Sequence, residues 1–95
     1  MARKQPTKDE KAHLDAVARL GCLICRAPAE VHHVTTGAGM GQRASHYDTI
    51  PLCARCHRTG PVGVAIHAGK RTWEARHGSE LQLLERVRQL LEGER

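Results

Sequence analysis

Two Cys-x-x-Cys pairs, Cys22/Cys25 and Cys53/Cys56, bracket the dipeptide His32-His33, and His57 follows the second pair directly. Four thiolates from two tight turns fit a tetrahedral structural zinc site. The 27 residues between Cys25 and Cys53 are somewhat more than a zinc ribbon uses. A closed four-thiolate site has no open position for a substrate, so the histidines need another explanation. Neutral imidazole is both a metal ligand and a general base near physiological pH. Hydrolysis of a phosphodiester needs both services, a base for the water and a cation for the phosphate and leaving oxygen. Taken singly, each histidine is explained as a spare ligand or a surface residue. Taken together, they read as a second, catalytic cluster on a zinc-stapled scaffold.

The competing reading of the cysteines is two disulfides, and the compartment decides between the two. Met1 to Lys11 is basic and polar, unlike a signal peptide, and no run approaches the roughly 18 apolar residues of a membrane span. The expected location is the cytoplasm, where thiols stay reduced and such pairs bind metal.

Composition supports a staple. With no Phe, one Trp and one Tyr, the chain lacks the residues that contribute most to a small core, and 95 residues allow one small domain at most. Domains of this kind compensate with metals or disulfides. The net charge of +5 favours a polyanionic partner, a weak signal alone and a useful one beside a site suited to phosphates.

The elements must deliver these residues. Residues 1–6 form a flexible basic lead. Thr7 and Glu10 match a capping box, which predicts a helix from about Lys8 to Leu20, stopped at Gly21 just before Cys22. Cys22 to Pro28 resembles a zinc knuckle. Glu30 to Thr35 has strand character, although an ideal strand sends His32 and His33 to opposite faces. Thr36 to Arg43 reads as a glycine-rich loop, and Ile50-Pro51-Leu52 as a short edge strand. Residues Cys53 to about Thr59 read as a helix start carrying Cys56 and His57, and residues 60–63 as a loop. Ser79 and Gln82 form a second capping box, opening a helix to about Leu91 with Leu84, Val87 and Leu91 at helical spacing. The domain is therefore divided into the lead, a zinc-stapled core over 21–78 and a C-terminal helix over 79–92.

This order of cysteines and histidines resembles the HNH nucleases, whose motif is a ββα hairpin-helix around one divalent metal, often stapled by two Cys-x-x-Cys turns. His67-Ala68-Gly69-Lys70 is similar to the distal metal-ligand segment of the colicin-type nucleases. Residues 21–78, with Ile50-Pro51-Leu52-Cys53 and Gly69-Lys70-Arg71-Thr72-Trp73-Glu74, look most like phage recombination-enhancement (Ref-like) HNH endonucleases. The resemblance implies a small α+β fold: a ββα-metal motif with a four-cysteine zinc site, flanked by an N-terminal and a C-terminal helix. It implies a metal-dependent endonuclease acting on double- or single-stranded DNA. His33 would be the general base, and His32, His57 and His67 the ligands of a catalytic Mg²⁺, Mn²⁺, Ni²⁺ or Zn²⁺ that stabilises the phosphate and the departing oxygen. A RecA-type recombinase is the partner it implies.

HNH proteins usually carry Asn nine residues before the last histidine, where its side chain orients the base; here that position is Asp48. A carboxylate can accept the ring N–H of a histidine equally well, and His46 is a rival for the role. Arg43, Arg58, Lys70, Arg71 and Arg76 are candidate phosphate contacts, with Lys70 and Arg71 favoured by their nearness to His67; the competing reading is a solvated basic surface. Trp73 is expected in the core under the zinc lobe, although it and Tyr47 could stack on bases. His13 and His77 fall outside the pattern and read as surface residues.

Two other classes remain at this stage. One is a non-catalytic zinc-stabilised module that binds nucleic acid. The other is a zinc-stapled protein-interaction domain using the leucines of its last helix, and the chain is expected to be a monomer or a homodimer. Neither accounts for the order of His32, His33, His57 and His67.

Overall fold

A computed structural model describes residues 5–36 and 45–93. Arg43 and most of the basic lead lie outside the described residues. The elements run α1 (Lys8–Arg19), β1 (Glu30–His33), β2 (Thr49–Leu52), a π-helical turn (Arg55–Thr59), a 3₁₀ turn (Ile66–Ala68), α2 (Lys70–His77) and α3 (Glu80–Gly93). The fold is small and α+β, with a two-stranded antiparallel sheet at its centre.

The first helix starts and stops where its sequence directs. The Thr7 hydroxyl accepts from the Glu10 amide at 3.1 Å, and the Glu10 carboxylate accepts from the Thr7 amide at 2.8 Å, so both orphan donors are satisfied. Gly21 has φ +82, a left-handed conformation that costs glycine nothing, and its amide donates to Ala18. This turn ends α1 and points the chain into Cys22. At α3 the same chemistry recurs: Ser79 Oγ accepts from the Gln82 amide, and Gln82 Oε1 accepts from the Ser79 amide.

The hairpin register pairs Glu30 with Leu52, Val31 with Pro51, His32 with Ile50 and His33 with Thr49. Proline is tolerated at the Val31 pairing because the Pro51 carbonyl points away from β1 and accepts from the Leu23 amide at 3.1 Å. A pair whose backbone groups face outward exchanges no ladder bonds, so the missing N–H costs nothing there. The same hydrogen bond ties the first cysteine turn to the outer edge of β2.

Helices α1 and α3 both pack on β2 and on each other. Val17, Ile50, Leu52, Ile66, Trp73, Leu83, Leu84 and Val87 form the core together with Cys22, Cys53 and Cys56. Trp73 is completely buried, as its expected core position requires.

Helix α2 carries this tryptophan, and no local signal in the sequence marks the helix. Its N-cap is Gly69, which supplies no side-chain hydrogen bond, and its apolar pattern is faint. Its start depends on backbone geometry after the 3₁₀ turn, with the Trp73 amide donating to Gly69. No helix among the described residues is long and apolar enough to cross a membrane.

Candidate metal centres

The cysteines meet as their spacing predicts. One thiol from each of Cys22, Cys25, Cys53 and Cys56 lies within 4.8 Å of every other. All four are free, and across the two turns Cys25 Sγ and Cys53 Sγ are 3.4 Å apart, far beyond a covalent S–S bond. A four-sulfur donor set from two turns is the composition that suits a tetrahedral zinc ion, so this cluster could hold a structural zinc. Burial pushes the Cys22 thiol up, but backbone amides near Cys25, Cys53 and Ile24 outweigh it and bring it down to about 7. Cys56 is pushed well up by burial and by its hydrogen bonds and charge contacts with Cys53 and Cys22. Packed thiols thus compete for negative charge, a conflict that a bound cation removes.

A second cluster stands beside the first. His32, His57 and His67 each offer a ring nitrogen within 4.8 Å of the others. Their ring centroids lie 4.6–5.1 Å apart. The Arg55–Thr59 turn links the two sites, because it sends Cys56 to the thiols and the next residue, His57, to the imidazoles. His67 comes from the 3₁₀ turn and is exposed, which leaves the cluster open on one side.

Each inner histidine is backed by a carboxylate that sequence reasoning missed. His57 Nδ1 hydrogen-bonds to Glu30 Oε2, and its Nε2 faces His67 Nε2 at 2.9 Å. His32 Nε2 hydrogen-bonds to Glu80 Oε2 at 2.5 Å, while its Nδ1 is buried with no hydrogen-bond partner. A cation would take the unpartnered Nδ1 of His32 and the facing Nε2 atoms of His57 and His67, while carboxylates hold the other nitrogens of His32 and His57, the arrangement typical of metal-binding histidines. Burial holds the His32 and His67 imidazoles below the ordinary histidine range, the neutral form a ligand requires. The buried unpartnered Nδ1 of His32 and the two nitrogens facing each other fit a metal better than an empty cluster.

The carboxylates are themselves well held. The Arg58 guanidinium and His57 keep Glu30 down at about 2, with Arg58 Nε at 2.8 Å. Glu80 is wholly buried; burial alone would raise it, but hydrogen bonds from Thr36, His32 and Lys70 bring it down to about 2. Arg58 and Lys70, expected as phosphate contacts, thus both engage carboxylates behind the histidines. Arg71 and Arg76 are exposed on α2. The only advance sign of Glu80 was its place in a capping box; that it turns inward is a tertiary fact.

The pleat sends His33 away from its neighbour. His32 turns inward to Glu80, while the half-buried His33 lies against His46, with His33 Nε2 2.9 Å from His46 Nδ1. Asp48 accepts from Arg88 Nη2 of α3 at 3.1 Å, and its backbone carbonyl accepts from Val34. His13 is less exposed than a surface reading suggests: it packs on Tyr47 at 5.2 Å, and its Nε2 is buried. His77 packs at a tilt against Trp73, with ring centroids 4.8 Å apart.

A short hairpin and a helical turn that carry a thiol cluster and a histidine cluster define a small α+β protein built around candidate metal sites. The chain belongs to the DUF968 family, described as a protein of unknown function, whose model matches residues 1–90. No curated protein matches the chain significantly.

Proposed function

We propose that this protein is a metal-dependent HNH-type endonuclease that hydrolyses DNA phosphodiester bonds. The observation that carries the reading is the three-imidazole cluster, separate from the four thiols, open on one side and backed by carboxylates. A scaffold that needed only a structural zinc would have no use for it. A divalent cation held by His32, His57 and His67 would neutralise charge on the phosphate and on the departing oxygen.

The placement of His33 supports the same chemistry. Attack on phosphorus runs in line, with water entering opposite the leaving oxygen. Adjacent residues on a pleat point to opposite sides, so His32 can serve the leaving group while His33 takes a proton from the water. His46 is positioned to orient His33. Hydrogen-bonded ring nitrogens cannot both carry protons, so the pair shares one and fixes the ring plane of His33. Asp48, engaged by Arg88, holds the start of β2 and is the weaker choice for that task. The net charge of +5 and the exposed Arg71 and Arg76 favour the phosphate backbone as partner.

Supercoiled plasmid cleavage tests the proposal, comparing the protein with a His33→Ala variant under EDTA, Mg²⁺, Mn²⁺ and Ni²⁺. Removing one oriented base should slow cleavage by about 10²–10⁴-fold with fold and zinc content unchanged. Equal rates in the two proteins would remove the mechanism. No cleavage by the parent under any ion would leave the cysteine frame as a binding module.

A further inference from the structure

Glu80 stands outside the hairpin and turn that carry the histidines, yet its carboxylate is the most heavily engaged group near them. It is the first residue of α3 and is wholly buried. Oε2 accepts from His32. Oε1 accepts from the Thr36 hydroxyl at 2.6 Å, the Thr36 amide at 3.0 Å, the Thr35 amide at 3.1 Å and the Thr35 hydroxyl at 3.3 Å. Lys70 Nζ lies 3.0 Å from the same oxygen. Its own amide donates to Glu74 Oε2 of α2 at 2.7 Å.

Anchoring a helix start does not need a buried carboxylate with this many donors. An uncompensated buried charge is expensive, and here it is compensated from three directions, by β1, by the residues after it and by α2. What the arrangement fixes is the state of one imidazole. A carboxylate can only accept, so His32 must carry its proton on Nε2, which leaves the Nδ1 lone pair free. That Nδ1 is the buried atom with no hydrogen-bond partner.

We propose that Glu80 is a positioning residue that sets the tautomer and ring orientation of His32, so that Nδ1 faces the His57–His67 cluster as a preformed metal ligand. Through Thr35, Thr36 and Lys70, the same carboxylate couples that ligand to the end of β1 and to the start of α2. The metal site is thereby completed by α3, an element that supplies no ligand. Three neutral imidazoles favour borderline transition ions such as Zn²⁺, Co²⁺ or Ni²⁺ over Mg²⁺. The inference rests on the metal-binding part of the proposed function and is independent of whether DNA is cleaved.

The test uses nuclear magnetic resonance of ¹⁵N-labelled full chain, loaded with zinc at the thiols and free of metal at the histidines. His32 is expected as the Nε2–H tautomer. Finding it as the Nδ1–H tautomer would overturn the proposal without any variant being made. Glu80→Gln is the second arm, because its amide can donate to Nε2 and release the tautomer. The variant should bind Co²⁺ at the histidine cluster about 10–100-fold more weakly, read from the visible absorption of the bound ion, with one zinc per chain retained at the thiols. Unchanged Co²⁺ affinity in folded Glu80→Gln would refute the role. Tight Co²⁺ binding that depends on Glu80, in a protein that cleaves no DNA, would uphold this inference while removing the nuclease reading.

Discussion

Stripping metal from the cysteine cluster should unfold this protein, and the size of the effect follows from how little else holds that corner. The turn at Cys22–Cys25 is joined to the body by the Leu23–Pro51 hydrogen bond and by partial burial of Leu23 and Ile24. One hydrogen bond contributes about 1 kcal/mol net. Opposing this, Cys22, Cys53 and Cys56 are each less than a tenth exposed, so without a cation the interior must hold competing thiols. Structural zinc in small domains supplies an apparent 10–16 kcal/mol near neutral pH, against about 5–15 kcal/mol for the whole stability of a domain. With one tryptophan and no phenylalanine, this core should lie near the low end. Removing the ion should therefore leave a chain that is largely unfolded at 25 °C. The assay is far-ultraviolet circular dichroism with zinc content followed in parallel, first under a strong chelator and then on readdition of zinc. Cys53→Ser should reproduce the loss at lower chelator concentration. A chelated, zinc-free protein that keeps its helical signal and melts within a few degrees of the loaded one would refute the staple.

Other outcomes follow from the same contacts. Trp73→Ala should lose about 3–5 kcal/mol in denaturant unfolding, since it removes the largest fully buried side chain. Trp73→Phe should lose much less, because the indole nitrogen it deletes is buried without a partner. Metal affinity at the histidine cluster should hold steady around pH 7 and fall toward about pH 5, because protonated imidazole cannot ligate. His32 and His67 have pKa values held below the ordinary histidine range, so the loss should begin lower than free imidazole predicts; calorimetric titrations at several pH values would reveal a drop starting above that range if the reasoning is wrong.

Much of this organisation is written in local chemistry. Thr7 with Glu10 and Ser79 with Gln82 mark two helix starts because a capping box is satisfied within four residues, and Gly21 ends α1 because only a left-handed residue makes that turn cheaply. The cysteine pairs announce their own meeting, since two ligands on each turn leave one geometry to complete. Membership of His32, His57 and His67 in one cluster was also expected, as the resemblance to the HNH nucleases implies.

What the sequence left open depended on groups far apart in the chain. Helix α2 carries neither a side-chain cap nor a strong apolar stripe, so nothing local marks it; burial of Trp73 decides it. Glu30 and Glu80 are ordinary glutamates in sequence, separated from their histidines by 27 and 48 residues. Only packing shows that one is held by Arg58 and the other is buried against His32, Thr35 and Thr36. The partner of His33 was likewise undecided between two nearby residues, and the pairing of β1 with β2 brings His46 against it while α3 draws Asp48 to Arg88. Side-chain types and spacings thus determined which candidate ligands the protein possesses. The tertiary structure alone decided that the Nδ1 of His32 is the nitrogen left open, because tautomers are set by hydrogen bonds that only the assembled fold supplies.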